Sequence, residues 1–587
     1  MLGSKRQISL LVIIFFAAPK ILFAQPAPSI EWQRCLGGSG DDEAKCMIQT
    51  SDGGYAVVGY NSSKDGDVKG SLGKKDAWIV KLSPSNSILR QDCYGGGGDE
   101  QFNSIIRTSD GGYAIAGTIS SNDGDADVGG KHGTLHSDAW VVKLNASWIV
   151  EWQKCYGGSN DDIANAICQT SDGGYLIAGS TTSIDGDVSG KHLGTFNTDV
   201  WVVKADPAGT IEWQKCLGGK GDEFGNSILQ TSDGGCIVAG KTNSLGGDVA
   251  GLHFDTTLGA NYDPDHDGDI EANEGEGGFD AWVVKLDSSH NIEWQRCYGG
   301  IRMDAAYSII HSPNGGYVFA GSTESDDGDV SGNHSIPPSL TVRDGWVVEI
   351  DSSGTIVWQS CLGGRGNDEI FSLIHTSDGG YAVGGWSNSD DESFFNHGRS
   401  DAWIVKLNSS GKTQWQKFFG GKSDDGAASV IQTSDKSLAF AGYTTSNDGD
   451  VIGFHMPDTT LVTYDPDNDG DNEYTESNEK PKDMWVVKLN APSGVNTNTT
   501  SSRFQLFTYP NPSSKIITVG YDLPKISPVE ITIYNLTGEC IKEILQPGDH
   551  AGHHETKLDL AGCSEGSYFI KITACGLSET ASVEVVR

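Results

Sequence analysis

The chain has 587 residues, and its 79 acidic and 41 basic side chains give a formal net charge of −38. A field of that sign repels nucleic acid and anionic lipid, so neither is expected as a partner. Glycine is frequent, at 78 residues, which suits many tight turns, and the length admits two or three domains.

Residues 1–24 carry Lys5 and Arg6, an apolar stretch from Ile8 to Ala18, and a cut site after Ala24. This is the pattern of a secretory signal peptide, with Lys20 an atypical feature. The apolar run is short for a membrane span and no later segment approaches one. The mature chain is therefore expected to lack a transmembrane anchor.

From residue 25 to 490 one unit recurs seven times. Its opening position is Trp32, Arg90, Trp152, Trp213, Trp294, Trp358 and Trp415. Twenty-one residues later stands a turn position: Gly53, Gly111, Gly173, Gly234, Gly315, Gly379 and Lys436. The closing aromatic is Trp78, Trp140, Trp201, Trp282, Trp346, Trp403 and Trp485, the first six each twelve residues before the next opening position. All length variation falls between the turn and the closing Trp. Each unit offers four short strands of the types W-Q-K-C, S-I-I-Q-T, Y-A-V-A-G and W-V-V-K-L, rich in Val, Ile, Tyr and Trp and bounded by Gly, Asp, Asn and Ser. Runs such as Trp282-Val283-Val284 are apolar on both faces, so the sheets are covered on both sides.

Four strands per unit, seven times, predict an all-β fold: a seven-bladed β-propeller. The chain enters at Ile30-Glu31-Trp32-Gln33 without a preceding W-V-V-K-L strand, and the last unit ends at Trp485–Leu489 without a following I-E-W-Q. These N- and C-terminal strands are predicted to pair and close the ring. The repeats resemble kelch-type propeller blades. The T-S-D-G-G-Y turn at Thr50–Tyr55 is similar to the Asp-box turn of sialidase propellers, which is structural in that family.

Six of the twelve cysteines share one repeat position: Cys35, Cys93, Cys155, Cys216, Cys297 and Cys361, with Phe418 in the seventh unit. Exchange of Cys with Phe indicates a buried apolar site. The first and second strands of a unit are expected to be neighbours, which makes Cys35–Cys46 and Cys155–Cys168 candidates for cross-strand disulfides. The variable loops carry D-G-D-V, as at Asp65-Gly66-Asp67 and Asp123-Gly124-Asp125. They are read as turns capped by Asp side chains, with a calcium site the sharper alternative.

Two longer inserts, near 252–279 and 453–482, fit the calcium-loop pattern D-x-D-x-D-G-x5-E. Calcium takes six to eight oxygens, and alternate carboxylates curl inward where Gly permits a sharp turn. In the first loop Asp263, Asp265 and Asp267 would coordinate by side chain, Asp269 by its carbonyl, and Glu274 would close the site. In the second the same roles fall on Asp465, Asp467, Asp469, Asp471 and Glu476. No amphipathic helices flank them, so the expected role of calcium is structural, ordering a long loop.

Residues 491–503 read as a polar linker, and 504–587 as a second, small all-β domain with strands at Ile516–Tyr521, Val529–Asn535, Thr556–Leu560, Tyr568–Thr573 and Ala581–Val586. An Ig-like β-sandwich is predicted. Tyr509-Pro510-Asn511-Pro512, V-E-I-T-I-Y-N-L-T-G at 529–538 and G-S-Y-F-I-K-I at 566–572 resemble the type A C-terminal sorting domain of the type IX secretion system. The resemblance implies a Bacteroidetes-type source, passage through the periplasm, contact of residues 504–587 with that machinery, and delivery to the medium or the outer cell surface.

A sorting domain says where the cargo goes and leaves its task open. Three readings follow for the propeller: a surface or secreted binding protein for a glycan or a surface protein, a glycan-active hydrolase, or a structural envelope or matrix protein. Loops of varied length on a rigid scaffold favour the first. The histidines His132, His192, His253, His334, His397 and His455 recur in the loops as repeat inheritance, and the sequence contains no nucleophile elbow, Walker loop or H-E-x-x-H. An enzyme is thus the lesser expectation, and no catalytic residue is assigned.

Overall fold

The seven repeats form 28 strands, numbered β1 to β28 in chain order, and these assemble into seven four-stranded antiparallel sheets in the computed structural model. The structure describes residues 27–491 apart from 123–129, 193–196, 254–277, 335–341, 391–395 and 456–480, and beyond 505 chiefly the strands of a second unit. The first sheet holds β2 (Asp42–Gln49), β3 (Tyr55–Asn61), β4 (Asp76–Leu82) and β5 (Ile88–Tyr94). The innermost strands are β2, β6 (Glu100–Arg107), β10 (Asp162–Gln169), β14 (Glu223–Gln230), β18 (Asp304–His311), β22 (Asp368–His375) and β26 (Asp425–Gln432). Each packs against the innermost strands on both sides, and β26 packs against β2. The result is a closed ring, a seven-bladed propeller.

Closure follows the predicted pairing. β1 (Ile30–Leu36) lies antiparallel to β28 (Asp483–Leu489), with Cys35 opposite Trp485 and Leu36 opposite Met484. The seventh blade therefore reads β26, β27 (Leu438–Thr444), β28, β1. Seven buried apolar clusters lie between consecutive blades, and one joins Met47 and Trp78 of the first blade to Ala439 and Met484 of the seventh.

Two local features shape every blade. The S-D-G-G hairpin closes with Thr50 N–H donating to Gly54 O at 2.9 Å, and Gly53 takes φ 80°. The third strand is buried on both faces, and its Trp78, Trp140, Trp282, Trp346, Trp403 and Trp485 are sealed from solvent. Truncating one such Trp to Ala would cost about 3–5 kcal/mol. The W-Q pair has a further purpose. Gln214 of β13 (Ile211–Leu217) accepts from Trp201 Nε1 of β12 (Asp199–Ala205) at 2.8 Å. Gln295, Gln359 and Gln33 repeat that bond on Trp282, Trp346 and Trp485.

The cysteine expectation needs correction. The blade begins at the second strand of the sequence unit, so the first and second strands of one unit belong to different sheets. Cys35 sits in the seventh blade and Cys46 in the first. Cys155 of β9 (Val150–Tyr156) and Cys168 of β10 likewise belong to different blades. All four thiols are free. The shared position is buried and apolar as read: Cys216 lies opposite Trp201, and burial pushes its thiol up to about 12.

A contact boundary after Pro492 separates the second unit. It is a sandwich of a three-stranded sheet, β29 (Leu506–Tyr509), β30 (Ile516–Leu523) and β33 (Gly552–Asp559), and a four-stranded sheet. The latter runs β32 (Cys540–Asp549), β31 (Ser527–Asn535), β34 (Gly566–Ala574), β35 (Leu577–Val585). Inward side chains of both sheets, among them Val519, Tyr521, Ile531, Ile533 and Ile570, form its core. β29 and β32 are additional to the five strands read from the sequence.

Candidate functional site

Antiparallel order places the site. The inner strand runs from the loop face to the hairpin face and the second strand returns. The variable loop therefore starts on the face where the inner strand begins. The inner-strand heads, the G-G turns that precede them and the variable loops thus share one face.

Each inner strand carries a β-bulge three residues in, at Lys45, Asn103, Asn165, Asn226, Tyr307, Phe371 and Ala428. A bulge re-aims a side chain, here on the unpaired axial edge of the ring. The three Asn side chains stitch neighbouring inner strands together: Asn103 donates to Ala164 O at 3.0 Å, Asn165 to Gly225 O at 2.9 Å and Asn226 to Ala306 O at 2.9 Å. The remaining blades break this rule. Tyr307 and Phe371 contact one another, ring centroids 5.4 Å apart, where the stitch would be.

Two positions around the bulge depart within the same arc of blades, though not in every one: the fifth keeps Ser322 on its second strand and the sixth keeps Ser400 before its third. Opposite the inner strand, the second strand presents Thr118 and Ser180 in blades two and three, but Tyr60, Lys241, Trp386 and Tyr443 in blades one, four, six and seven. The residue before the third strand is Ser137 or Thr198 in blades two and three. It is Lys75, Phe279, Arg343 and Lys482 in blades one, four, five and seven. Most of these side chains are half-buried, each keeping part of its surface open to solvent.

Charge is concentrated at two points of this arc. At the first, Glu43 is bonded by Lys45 Nζ at 2.6 Å and by the Tyr60 hydroxyl at 3.0 Å, with Lys482 Nζ at 3.5 Å. Burial works to raise its carboxyl, but the two ammonium groups hold it below the usual range. Lys75 lies over the Tyr60 ring at 4.2 Å and Lys482 over Tyr443 at 4.6 Å. At the second, Arg343 bonds Glu324 at 2.7 Å, bonds Glu369, and reaches Met303 Sδ at 3.7 Å. Beside it Lys241 Nζ lies 4.4 Å from the Phe279 ring centre and 4.9 Å from that of Phe224. Burial, and then Arg343, push the Lys241 amine below its ordinary value. Arg343 is held charged by its two carboxylates. The arrangement is an aromatic and cationic arc over five adjacent blades, in a chain that is otherwise strongly acidic.

The residues singled out from the sequence fall elsewhere. Asp263, Asp265, Asp267, Asp269, Glu274, Asp465, Asp467, Asp469, Asp471 and Glu476 all lie outside the described residues, as does Asp123-Gly124-Asp125. The described D-G-D-V loops are capped turns: Asp65 Oδ1 accepts from Ser39 N–H at 2.7 Å and Asp185 Oδ1 from Ser159 N–H at 2.7 Å. No cluster suited to a metal occurs among the described residues. The loop histidines are not brought to one site. Each bonds the buried Asp that heads the third strand, as His192 Nδ1 does Asp199 at 2.8 Å and His455 Nδ1 does Asp483 at 2.9 Å. The axial residues went unread because no single motif marks them. Their signal is departure from the repeat consensus at three aligned positions, and it becomes legible only once the inner strand is known.

Residues 508–585 match the secretion system C-terminal sorting domain. The second unit is that domain, and it directs export by type IX secretion to the cell surface or the medium. No helix of the described residues is long and apolar enough to cross a membrane. Among curated proteins, the chain is 24% identical over 171 residues to the regulatory protein FlaEY of Caulobacter vibrioides, covering 29% of this chain but only 16% of that protein. Among solved structures it is similar to Sqt1 of Chaetomium thermophilum, with 11% identity, a TM-score of 0.34 and 71% of this chain and 83% of that one covered. PorZ, a surface component of the type IX secretion system of Porphyromonas gingivalis, gives 10% identity, a TM-score of 0.23 and coverage of 97% and 88%.

Proposed function

We propose that this exported propeller is a non-catalytic binding protein that seats a glycan or a surface-protein ligand over its axial mouth. The observation that carries this is the five-blade arc, where Tyr60, Lys241, Trp386 and Tyr443 stand at a position that blades two and three fill with Thr118 and Ser180. Trp386 and Tyr443, large aromatic side chains left partly exposed, have no folding purpose that blades two and three share. Aromatic faces and charged donors on a rigid scaffold are what recognition uses. Glu43, held ionised by Lys45 and Lys482, is a poor general acid, because that role needs a raised carboxyl pKa.

Binding of the full-length chain to a glycan array and to cell-surface extracts tests this, run beside a Trp386→Ser, Tyr443→Thr variant that restores the small consensus residues. Capture by the parent and loss of at least tenfold affinity in the variant supports the reading. Turnover of a captured glycan would bring the hydrolase reading forward. Silence of the parent in every arm would sink the binding reading and leave a structural envelope role.

The two inserts are proposed to bind calcium structurally, through Asp263, Asp265, Asp267, Asp269 and Glu274, and through Asp465, Asp467, Asp469, Asp471 and Glu476. What supports this is the spacing of four acids within each loop, whose charges repel strongly unless neutralised. Asp265→Ala with Asp267→Ala is expected to lower the melting temperature in millimolar calcium and to leave it unchanged in chelator. Equal melting of parent and variant in calcium counts against the site.

A further inference from the structure

We infer that the axial mouth takes a carboxylated glycan, an extended uronic-acid polysaccharide, with one carboxylate seated on Lys241. The inference rests on the binding reading above and names the ligand class for that site. It starts from the position of Lys241 in β15 (Cys236–Thr242). No carboxylate among the described residues lies within ion-pair distance of its Nζ. Its described close neighbours are the Phe224 and Phe279 rings and, on the next blade, the Arg343 guanidinium. Arg343 is engaged by Glu324 and Glu369; its charge adds to burial in depressing the Lys241 amine, while the charges of Glu369 and Asp222 act the other way.

An ammonium so placed feels carboxylate charge only from a distance and has no direct ion-pair partner among the described residues. It is partly desolvated by two phenyl rings, lies beside a second cation, and its amine is depressed by both. An arriving carboxylate would remove that penalty and form a charge-assisted hydrogen bond in a site already stripped of much of its water. The whole-molecule charge of −38 makes this selective, because a polyanion is turned away from the rest of the surface and admitted at the cationic points of the arc, Lys241 at one and Lys45, Lys75 and Lys482 at the other. The aromatic members decide between polyanions. Trp386 and Tyr443 are partly exposed along the same arc, and their faces suit the C–H faces of sugar rings, which a polyglutamate chain lacks. Their spread over consecutive blades fits several sugar units in a row.

The full-length chain would be titrated with polygalacturonate, neutral dextran and poly-glutamate, as parent, Lys241→Met and Lys241→Arg, with melting temperature recorded for each. Polygalacturonate should bind the parent in a salt-sensitive manner, lose roughly tenfold or more in affinity with Lys241→Met at unchanged melting temperature, and recover with Lys241→Arg. Dextran and poly-glutamate should bind at least tenfold more weakly. Undiminished polygalacturonate binding by Lys241→Met overturns the assignment. So does parity of poly-glutamate, which would point to an acidic peptide. Binding of dextran alone, lost on Trp386→Ser, would overturn this inference and leave the binding reading standing. Binding of nothing here or on the array would overturn both.

Discussion

Glu349 shows how a single position is fixed by its partner. In six blades the hairpin Asp pairs with the Lys near the end of the third strand, from Asp52–Lys81 to Asp435–Lys488, at 2.6–3.0 Å. Asp110 is thereby held down at about 2 by the Lys143 ammonium and the Thr108 hydroxyl. The fifth blade reverses both: Asn314 stands for Asp and Glu349 for Lys, and the Asn314 amide donates to Glu349 at 3.0 Å. Ser312 and the Trp358 indole also donate to Glu349. Glu349→Lys alone should therefore cost about 1–3 kcal/mol, since three donors lose their acceptor. Adding Asn314→Asp should recover about 1 kcal/mol or more of that, measured as coupling in a double-mutant cycle by denaturant unfolding. Strict additivity would show that the two positions do not recognise one another. Both exchanged letters stand plainly in the sequence, yet nothing in a linear reading says that they touch, because the hairpin and the strand end are brought together by the sheet.

Strand content, blade number and ring closure were readable because two spacings never vary. The twelve residues from closing Trp to opening Trp contain the outer hairpin, and the twenty-one to the turn glycine contain the step from one blade to the next. Neither can change length without breaking a sheet register or the wedge between blades. What periodicity cannot give is phase, since any starting point along a repeat describes it equally well. The disulfide expectation failed for that reason. The axial residues stayed hidden for the same reason, since an inner strand is named only when the sheet is seen. The closure itself can be tested. Removing residues 27–36 should expose the edge of β28, with its Trp485 and Met484, to water and to other chains. The shortened chain should melt at a lower temperature and self-associate, and a synthetic I-E-W-Q-R-C-L peptide should reverse both effects. An unchanged melting temperature would mean that the ring is held shut without β1.

At the scale of the whole ring, the junctions between blades impose a pH dependence. Every inner strand begins with a buried acid, and the preceding blade contributes a second from the head of its third strand. A Cβ on Gly37 would lie 2.4 Å from Asp42 Oδ2 and 2.8 Å from Asp483 Oδ1, so two carboxylates converge on that backbone. Asp42 accepts from Gly38 N–H at 2.9 Å and from Ser63 Oγ at 2.5 Å, while Asp483 Oδ1 has no hydrogen-bond partner among the described residues. Burial, with the facing carboxylate adding to it, pushes Asp42, Asp304 and Asp368 up to about 7 and Asp162 and Asp425 up to about 6. These values lie above those of the unfolded chain, near 4. Each such group therefore contributes stability that is complete below about pH 4 and is lost as the pH rises through 6 to 7. The hairpin acids act oppositely: Asp52 and Asp172, lowered to about 2, contribute above about pH 4 and lose that as the pH falls toward 2. The two families leave a maximum near pH 4. Calorimetric scans from pH 3 to 9 at constant ionic strength should show the melting temperature falling from pH 5 to 8, and Asp42→Asn should flatten part of that fall. A melting temperature that is level or rising over the same interval would mean that the junction carboxylates are not buried against one another in solution. Because six junctions hold an inner acid raised by burial, Asp42, Asp162, Glu223, Asp304, Asp368 and Asp425, the dependence should be several-fold steeper than one titrating group can give.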